Sequence, residues 1–314
     1  MNERRKLDLT DMKIVLVLAG ISCFLWGSAT PAIKTGYRLF AISPEDTFSI
    51  ILFAGTRFLL AGFLVNLFCS IQNRKWIMPP KEAGFTILKL SLAQTVLHYF
   101  FFYVGVAHAS GVHGAIITGS SVFISILFAC LVFRYEALTR RKVLGCVLGF
   151  GGIIIMNLAG AGSEGMFTFS LMGEGFVLTA QIFYAISTAL VKRYSRRYDV
   201  VMLCSYQFMC GGLILMAIGA LGGGSIAGGR TLAAGILLLY LALISAVAYT
   251  LWSLLLKHNP VSRVTVFGFM NPVFGVFLSA VFLGESGQAL TWNALAALVL
   301  VCLGIYVVNG GGKN

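Results

Sequence analysis

The chain has 314 residues, of which 58% are hydrophobic and 11% charged, and its mean hydropathy is +0.90. So little charge cannot keep the surface of a water-exposed domain wet, and the composition excludes a soluble globular protein. The net charge of +12 would suggest nucleic acid in a soluble chain. Here the basic residues fall between apolar runs, where they orient a membrane protein, and no nucleic-acid partner is expected.

Ten apolar runs near the bilayer length of about 20 residues are expected to span: residues 14–33, 47–69, 83–107, 114–133, 140–157, 171–191, 200–220, 232–256, 264–283 and 290–308. The first follows Arg4, Arg5, Lys6 and Lys13 and shows no small-residue cleavage site, so it reads as a span rather than a cleaved leader. It carries Trp26 and also Pro31, which is expected to kink it. In the second run Arg57 lies roughly 15 Å from the start at 1.5 Å per residue. A charge at that depth costs roughly 2.5–3.5 kcal/mol on insertion scales, so it must face protein or a wet cavity. Two readings fit: a counter-charge for an anionic group such as a carboxylate, or a structural arginine holding carbonyls at a kink. In the third run Lys89 is shallow enough to snorkel. Ser91, Gln94 and His98 share a helical stripe that can serve as interhelical glue or line a cavity. A free imidazole titrates near neutrality, so His98 is also a candidate for taking up a coupling proton.

The fourth run ends at Glu136, where capping or loop contacts are expected, and the fifth carries Gly145, Gly149 and Gly152. Such glycines allow close approach of helices, inside one chain or across a homodimer. Glu174, at the start of the sixth run, reads as a surface group. Gln181 and Tyr184 lie deeper in it, and Tyr249 and Trp252 lie in the eighth. These aromatics are packing or cavity wall. Pro272 is expected to kink the ninth run, and Glu285 follows it. No carboxylate falls mid-membrane. All seven cysteines lie inside or at the ends of apolar runs and read as buried structural thiols, without disulfide or metal.

The chain also repeats itself with its charges reversed, over residues 103–157 and 252–309. Each passage crosses a polar break, runs apolar, meets Glu136 or Glu285 and closes on an apolar run ending in Asn. Arg140, Arg141 and Lys142 follow Glu136, whereas no basic residue follows Glu285 until Lys313. Placing both termini in the cytoplasm leaves only Lys34, Arg38 and Arg230 outside, with Arg57 and Lys89 within spans. The bias changes sign between equivalent loops, as an odd number of spans per repeat requires. Trp26 precedes Lys34 as Tyr184 precedes Lys192, Arg57-Phe58 matches Gln207-Phe208, and Leu138-Thr139 matches Leu290-Thr291 after the insertion Ser286-Gly287-Gln288. The expected fold is therefore an all-α integral membrane protein of ten transmembrane helices. It consists of two inverted five-helix repeats, residues 1–160 and 161–314.

These residues resemble the EamA-type permeases of the drug/metabolite transporter superfamily. The second repeat carries that family's pattern in Asn271-Pro272 and Gly284-Glu285, while in the first Phe123 replaces the proline and Tyr135 the glycine. The resemblance implies export or exchange of a small metabolite by a permease of the cell membrane. HExxH, Walker and GxSxG signatures are missing, so neither an enzyme nor ATP-driven transport is expected, and no cofactor is implied. The expectation is a secondary carrier, monomeric or homodimeric, whose wall includes Trp26, Arg57, Gln94, His98, Gln181, Tyr184, Tyr249 and Trp252. The runners-up are a channel-like facilitator and a scaffold or intramembrane enzyme.

Overall fold

The computed structural model describes residues 8–43, 45–109, 117–158, 170–226, 231–283 and 292–310. Arg4, Arg5, Lys6, Ser110, Gly111, Arg230, Gly284-Glu285, the 286–288 insertion, Leu290-Thr291 and Lys313 lie outside them. The described residues form helices and connecting turns only. These are α1 (Met12–Leu39), α2 (Thr47–Asn73), α3 (Gly84–Ser91) and α4 (His98–His108), the last two joined by a π-helical turn, Leu92–Leu97. There follow α5 (Ser121–Leu127) with a π-turn at Phe128–Val132, α6 (Arg140–Leu158), and α7 (Phe176–Tyr194) after a π-turn at Leu171–Gly175. Next come α8 (Val200–Leu221), α9 (Leu232–His258), α10 (Val261–Thr265), a 3-10 turn at Val266–Phe269, α11 (Met270–Leu283) and α12 (Trp292–Asn309).

Six of these stretches are long and apolar enough to cross a membrane: Met12–Leu39, Thr47–Asn73, Lys81–Val106, Leu171–Tyr194, Val200–Leu221 and Leu232–His258. Ile117–Val132 and Leu295–Asn309 are shorter apolar helices. Large apolar side chains such as Phe68, Leu144, Leu239, Val299 and Tyr306 are exposed on the outside of the bundle, which makes this a multi-pass membrane protein with lipid as its surface solvent.

Polar N-caps begin many of the long helices. Asp11, Asp46, Asp199 and Thr231 each accept a backbone N–H from the first turn of the helix they precede. Glu174 is not a surface group. It is buried, and its Oε2 accepts the Ser170 N–H at 2.8 Å, because the π-turn folds the carboxylate back over its own start. The thiols also divide: Cys23, Cys130, Cys146 and Cys204 are buried as expected, but Cys69 and Cys210 are only half-buried and Cys302 is exposed. A thiol behaves as a small hydrophobe, so an outward-facing position in an apolar surface suits it equally well.

Small residues decide which helices touch. A Cβ on Gly212 of α8 would lie 2.8 Å from the Gly55 carbonyl of α2, and one on Gly304 of α12 would lie 2.6 Å from the Gly145 carbonyl of α6. Gly145 and Gly149 thus face α12 and Phe269 of the same chain. Around these two pairs, α1 packs on α9 and α11 while α7 packs on α4 and α5.

One offset relates the inner contacts. Tyr99 and Tyr249, 150 positions apart, share a hydrogen bond of 2.6 Å between their hydroxyls. Phe58 and Phe208, separated by the same offset, stack with centroids 5.4 Å apart. The same shift converts the bond from Arg57 to Ser245 into the bond between Gln207 and Thr95.

At the end of the bundle rich in basic residues, polar ties link residues far apart in the chain. Glu136 accepts the backbone N–H of Ser262 at 3.0 Å through Oε1 and the Ser262 hydroxyl through Oε2, and pairs with Lys142 at 2.8 Å. The Lys192 ammonium donates to the Asn259 carbonyl at 2.6 Å, and the Asn259 side-chain amide donates to the Leu9 carbonyl at 2.8 Å.

Candidate functional site

Between the halves lies a cavity of about 390 Å³. On α1 its wall runs from Trp26 to Ile33, well away from the helix start at Met12, and on α9 it ends at Tyr249. The cavity therefore lies toward the end of the bundle opposite the Glu136 ties.

Six of the eight wall residues expected from sequence line it: Trp26, Arg57, His98, Gln181, Tyr184 and Tyr249. Arg57 is 3% exposed and, among the described residues, is the one permanently charged residue in the wall. Its Nε–H donates to Ser245 Oγ at 3.0 Å, and its guanidinium carbon lies 5.2 Å from the Phe58 ring centroid. Among the described residues neither terminal nitrogen has a hydrogen-bond partner. The remaining four N–H donors of this buried cation thus lack a described acceptor, and the residue lines the cavity. Burying such a group without an acceptor is costly.

Around the arginine the wall is aromatic. Trp26 meets Tyr249 edge-on at 5.0 Å, Phe58 lies 4.4 Å from Tyr99, and His98 lies 5.6 Å from Tyr184. His98 Nδ1 is 2.9 Å from the Ala180 carbonyl. A carbonyl only accepts, so Nδ1 carries the proton, and Nε2 is an acceptor when the ring is neutral. Asn271 also lines the cavity, and its Oδ1 is buried without a protein partner.

Gln94 and Trp252 do not line the cavity. Gln94 is buried with Oε1 unpartnered. It lies in the π-turn that ends just before His98, and the extra residue in that turn rotates the two off the shared α-helical stripe. Trp252 packs edge-on against Trp26 at 5.1 Å and belongs to the core around Leu255 and Leu256. Gln207 is also outside the wall: Thr95 Oγ1 donates to its Oε1 at 2.8 Å, and its Nε2 is buried without a partner.

The two prolines act through glycines. Pro31 and Pro272 have no N–H, so each removes the intrahelical bond to the carbonyl four residues earlier, at Gly27 and Gly268. Both glycines line the cavity. Around Pro272 the expected continuous ninth span breaks into α10, the 3-10 turn and α11. Tyr99, Phe102 and Tyr103 also line the cavity and Ser245 holds Arg57, none of which was expected. The aromatic run from His98 to Tyr103 was the available signal for the first three, whereas a serine in an apolar run carries none.

The site is thus a largely apolar, aromatic cavity with one arginine inside a lipid-exposed helical bundle, and comparison with known proteins identifies the family as one of membrane transporters, not enzymes. The chain belongs to the EamA-like transporter family, whose profile matches residues 13–158 and again 171–310. It is similar to an uncharacterized transporter of Archaeoglobus fulgidus, 29% identical over 95% of this chain and 99% of that one. It is also similar to the uncharacterized transporter YvbV of Bacillus subtilis, 26% identical over 98% and 94%. The uncharacterized inner membrane transporter YedA of Escherichia coli is 25% identical over 90% and 89%. A solved crystal structure superposes with a TM-score of 0.75 over 95% of this chain and 96% of the other, at 16% identity, and so shares the fold.

Proposed function

We propose that the protein is a secondary transporter of the cell membrane that moves a small amphipathic organic metabolite bearing a carboxylate, by alternating access, in export or exchange. The observation that carries this reading is Arg57, whose terminal nitrogens have no acceptor among the described residues, in the wall of an aromatic cavity of about 390 Å³. That volume suits a small organic molecule. An apolar wall with one cation selects a monoanion with an apolar body, and Trp26, Arg57, His98, Gln181, Tyr184 and Tyr249 hold it.

The chain crosses the membrane ten times as two inverted halves, 1–160 and 161–314, with both termini in the cytoplasm. The charge distribution and the twofold family match support this arrangement. The Glu136 ties then close the cytoplasmic side, and the described conformation faces outward. A coupling proton would be carried by His98.

The test is purified protein in liposomes, with monocarboxylates first ranked by thermal stabilisation. Saturable, trans-stimulated flux of a stabilising carboxylate, reduced at least tenfold in kcat/KM by Arg57→Gln, is the expected result. Flux that neither saturates nor shows counterflow would mark a channel. Flux indifferent to Arg57→Gln would remove the arginine from the site.

A further inference from the structure

Arg57 has two edges that can take a carboxylate side by side: the Nε/Nη edge and the Nη1/Nη2 end. Only one is free. Ser245 Oγ lies 3.0 Å from Nε, and the Ser245 hydroxyl donates to the Leu241 carbonyl at 3.2 Å. With its single proton committed to Leu241, the serine presents only lone pairs to Arg57. It is an acceptor of fixed polarity, fully buried on α9. The Phe58 ring supplies a second restraint, and that ring is itself held by stacking on Phe208.

We infer that Ser245 is a specificity-determining positioning residue, which occupies Nε of Arg57 and leaves the Nη1/Nη2 end as the receptor for a planar monoanionic carboxylate. This rests on the proposed anion-binding role of Arg57. Without the serine the guanidinium would be free to turn, and the two donors would no longer be presented together. The counterpart pair in the other half has the same form but no charge. Thr95 donates to Gln207, whose remaining nitrogen is sealed, so that pair is a packing contact. The receptor therefore exists on one side of the molecule only.

Phenylglyoxal, which reacts with the free nitrogens of a guanidinium, tests this on full-length protein in detergent. The Arg57 peptide is followed by mass spectrometry while benzoate or benzamide competes. The expected result is labelling of Arg57, protection by millimolar benzoate but not by its neutral analogue benzamide, and a half-protecting benzoate concentration at least fivefold higher in Ser245→Ala. Ser245→Thr, which retains the hydroxyl, should restore the wild-type value. Thermal melting of both variants controls for folding, which by itself would not separate benzoate from benzamide. Equal protection in wild type and Ser245→Ala overturns the role of Ser245 and leaves the anion site standing. Labelling that benzoate does not block overturns the anion site itself. An unlabelled Arg57 overturns the open Nη1/Nη2 end.

Discussion

Arg57 is a cost to the fold that the proposed substrate would offset. Its Nε is satisfied by Ser245 and its face lies near Phe58, yet its terminal donors have no acceptor among the described residues. Arg57→Gln places there the residue that Gln207 already represents in the other half, so folding should survive while carboxylate affinity falls at least tenfold by thermal-shift titration. Asp46 is a simpler case at the same scale. It is exposed, and its carboxylate accepts the Ser49 N–H at 3.0 Å at the start of α2. Hydrogen bonds from the Ser49 side chain and backbone hold its pKa below the usual carboxylate range. A depressed folded value means that this contribution is present above the unfolded pKa of about 3.9 and is lost as pH falls through the folded value. Melting in detergent should accordingly show an acid-side loss below about pH 4 that Asp46→Ala reduces, at a cost of about 0.5–2 kcal/mol near neutrality.

At the scale of elements, glycine contacts and unusual turns position the site. Gly62 of α2 faces α8 so closely that an added Cβ would lie 2.5 Å from the Ser205 carbonyl. Backbone cannot yield as a side-chain tip can, so Gly62→Leu should destabilise the bundle by at least about 1–3 kcal/mol, seen as a lower melting temperature and lower yield of folded protein. These elements also mark how far the sequence was legible. Apolar length located the six long spans to within a few residues, because a bilayer imposes one length on all of them. The π-turns at Leu92–Leu97 and Leu171–Gly175 were not legible, since nothing in residue type distinguishes five residues per turn from four. That gap is why Gln94 was placed in the wall and Glu174 on the surface. Arg57 was legible because a charge in hydrocarbon is improbable without a reason, and Ser245 was not, because a serine there is unremarkable.

Across the whole molecule, the Glu136–Ser262 tie joins the start of α6 in one half to α10 in the other, at the end remote from the cavity. Hydrogen bonds to a charged group contribute roughly 1.5–3 kcal/mol, so its loss should loosen that end. In a cysteine-free background, Val261→Cys should be poorly labelled by a membrane-impermeant maleimide, because Val261 is 1% exposed. Adding Glu136→Ala should raise the labelling rate severalfold. An unchanged rate would mean that the apolar core around Val261 and Leu255 closes that end unaided.

The two contacts made by residues with their own counterparts, Tyr99 with Tyr249 and Phe58 with Phe208, carry a historical consequence. A side chain that meets its own copy, as in the isologous interface of two identical subunits, changes both sides of the contact with every substitution. Had the halves once been separate identical chains, these places would have been the hardest to alter. After fusion they would still bear the same residue twice. Away from that line each copy had a different neighbour and could drift alone. An arginine could then arise in one half while a glutamine stood in the other, giving a two-faced ancestor a single grip.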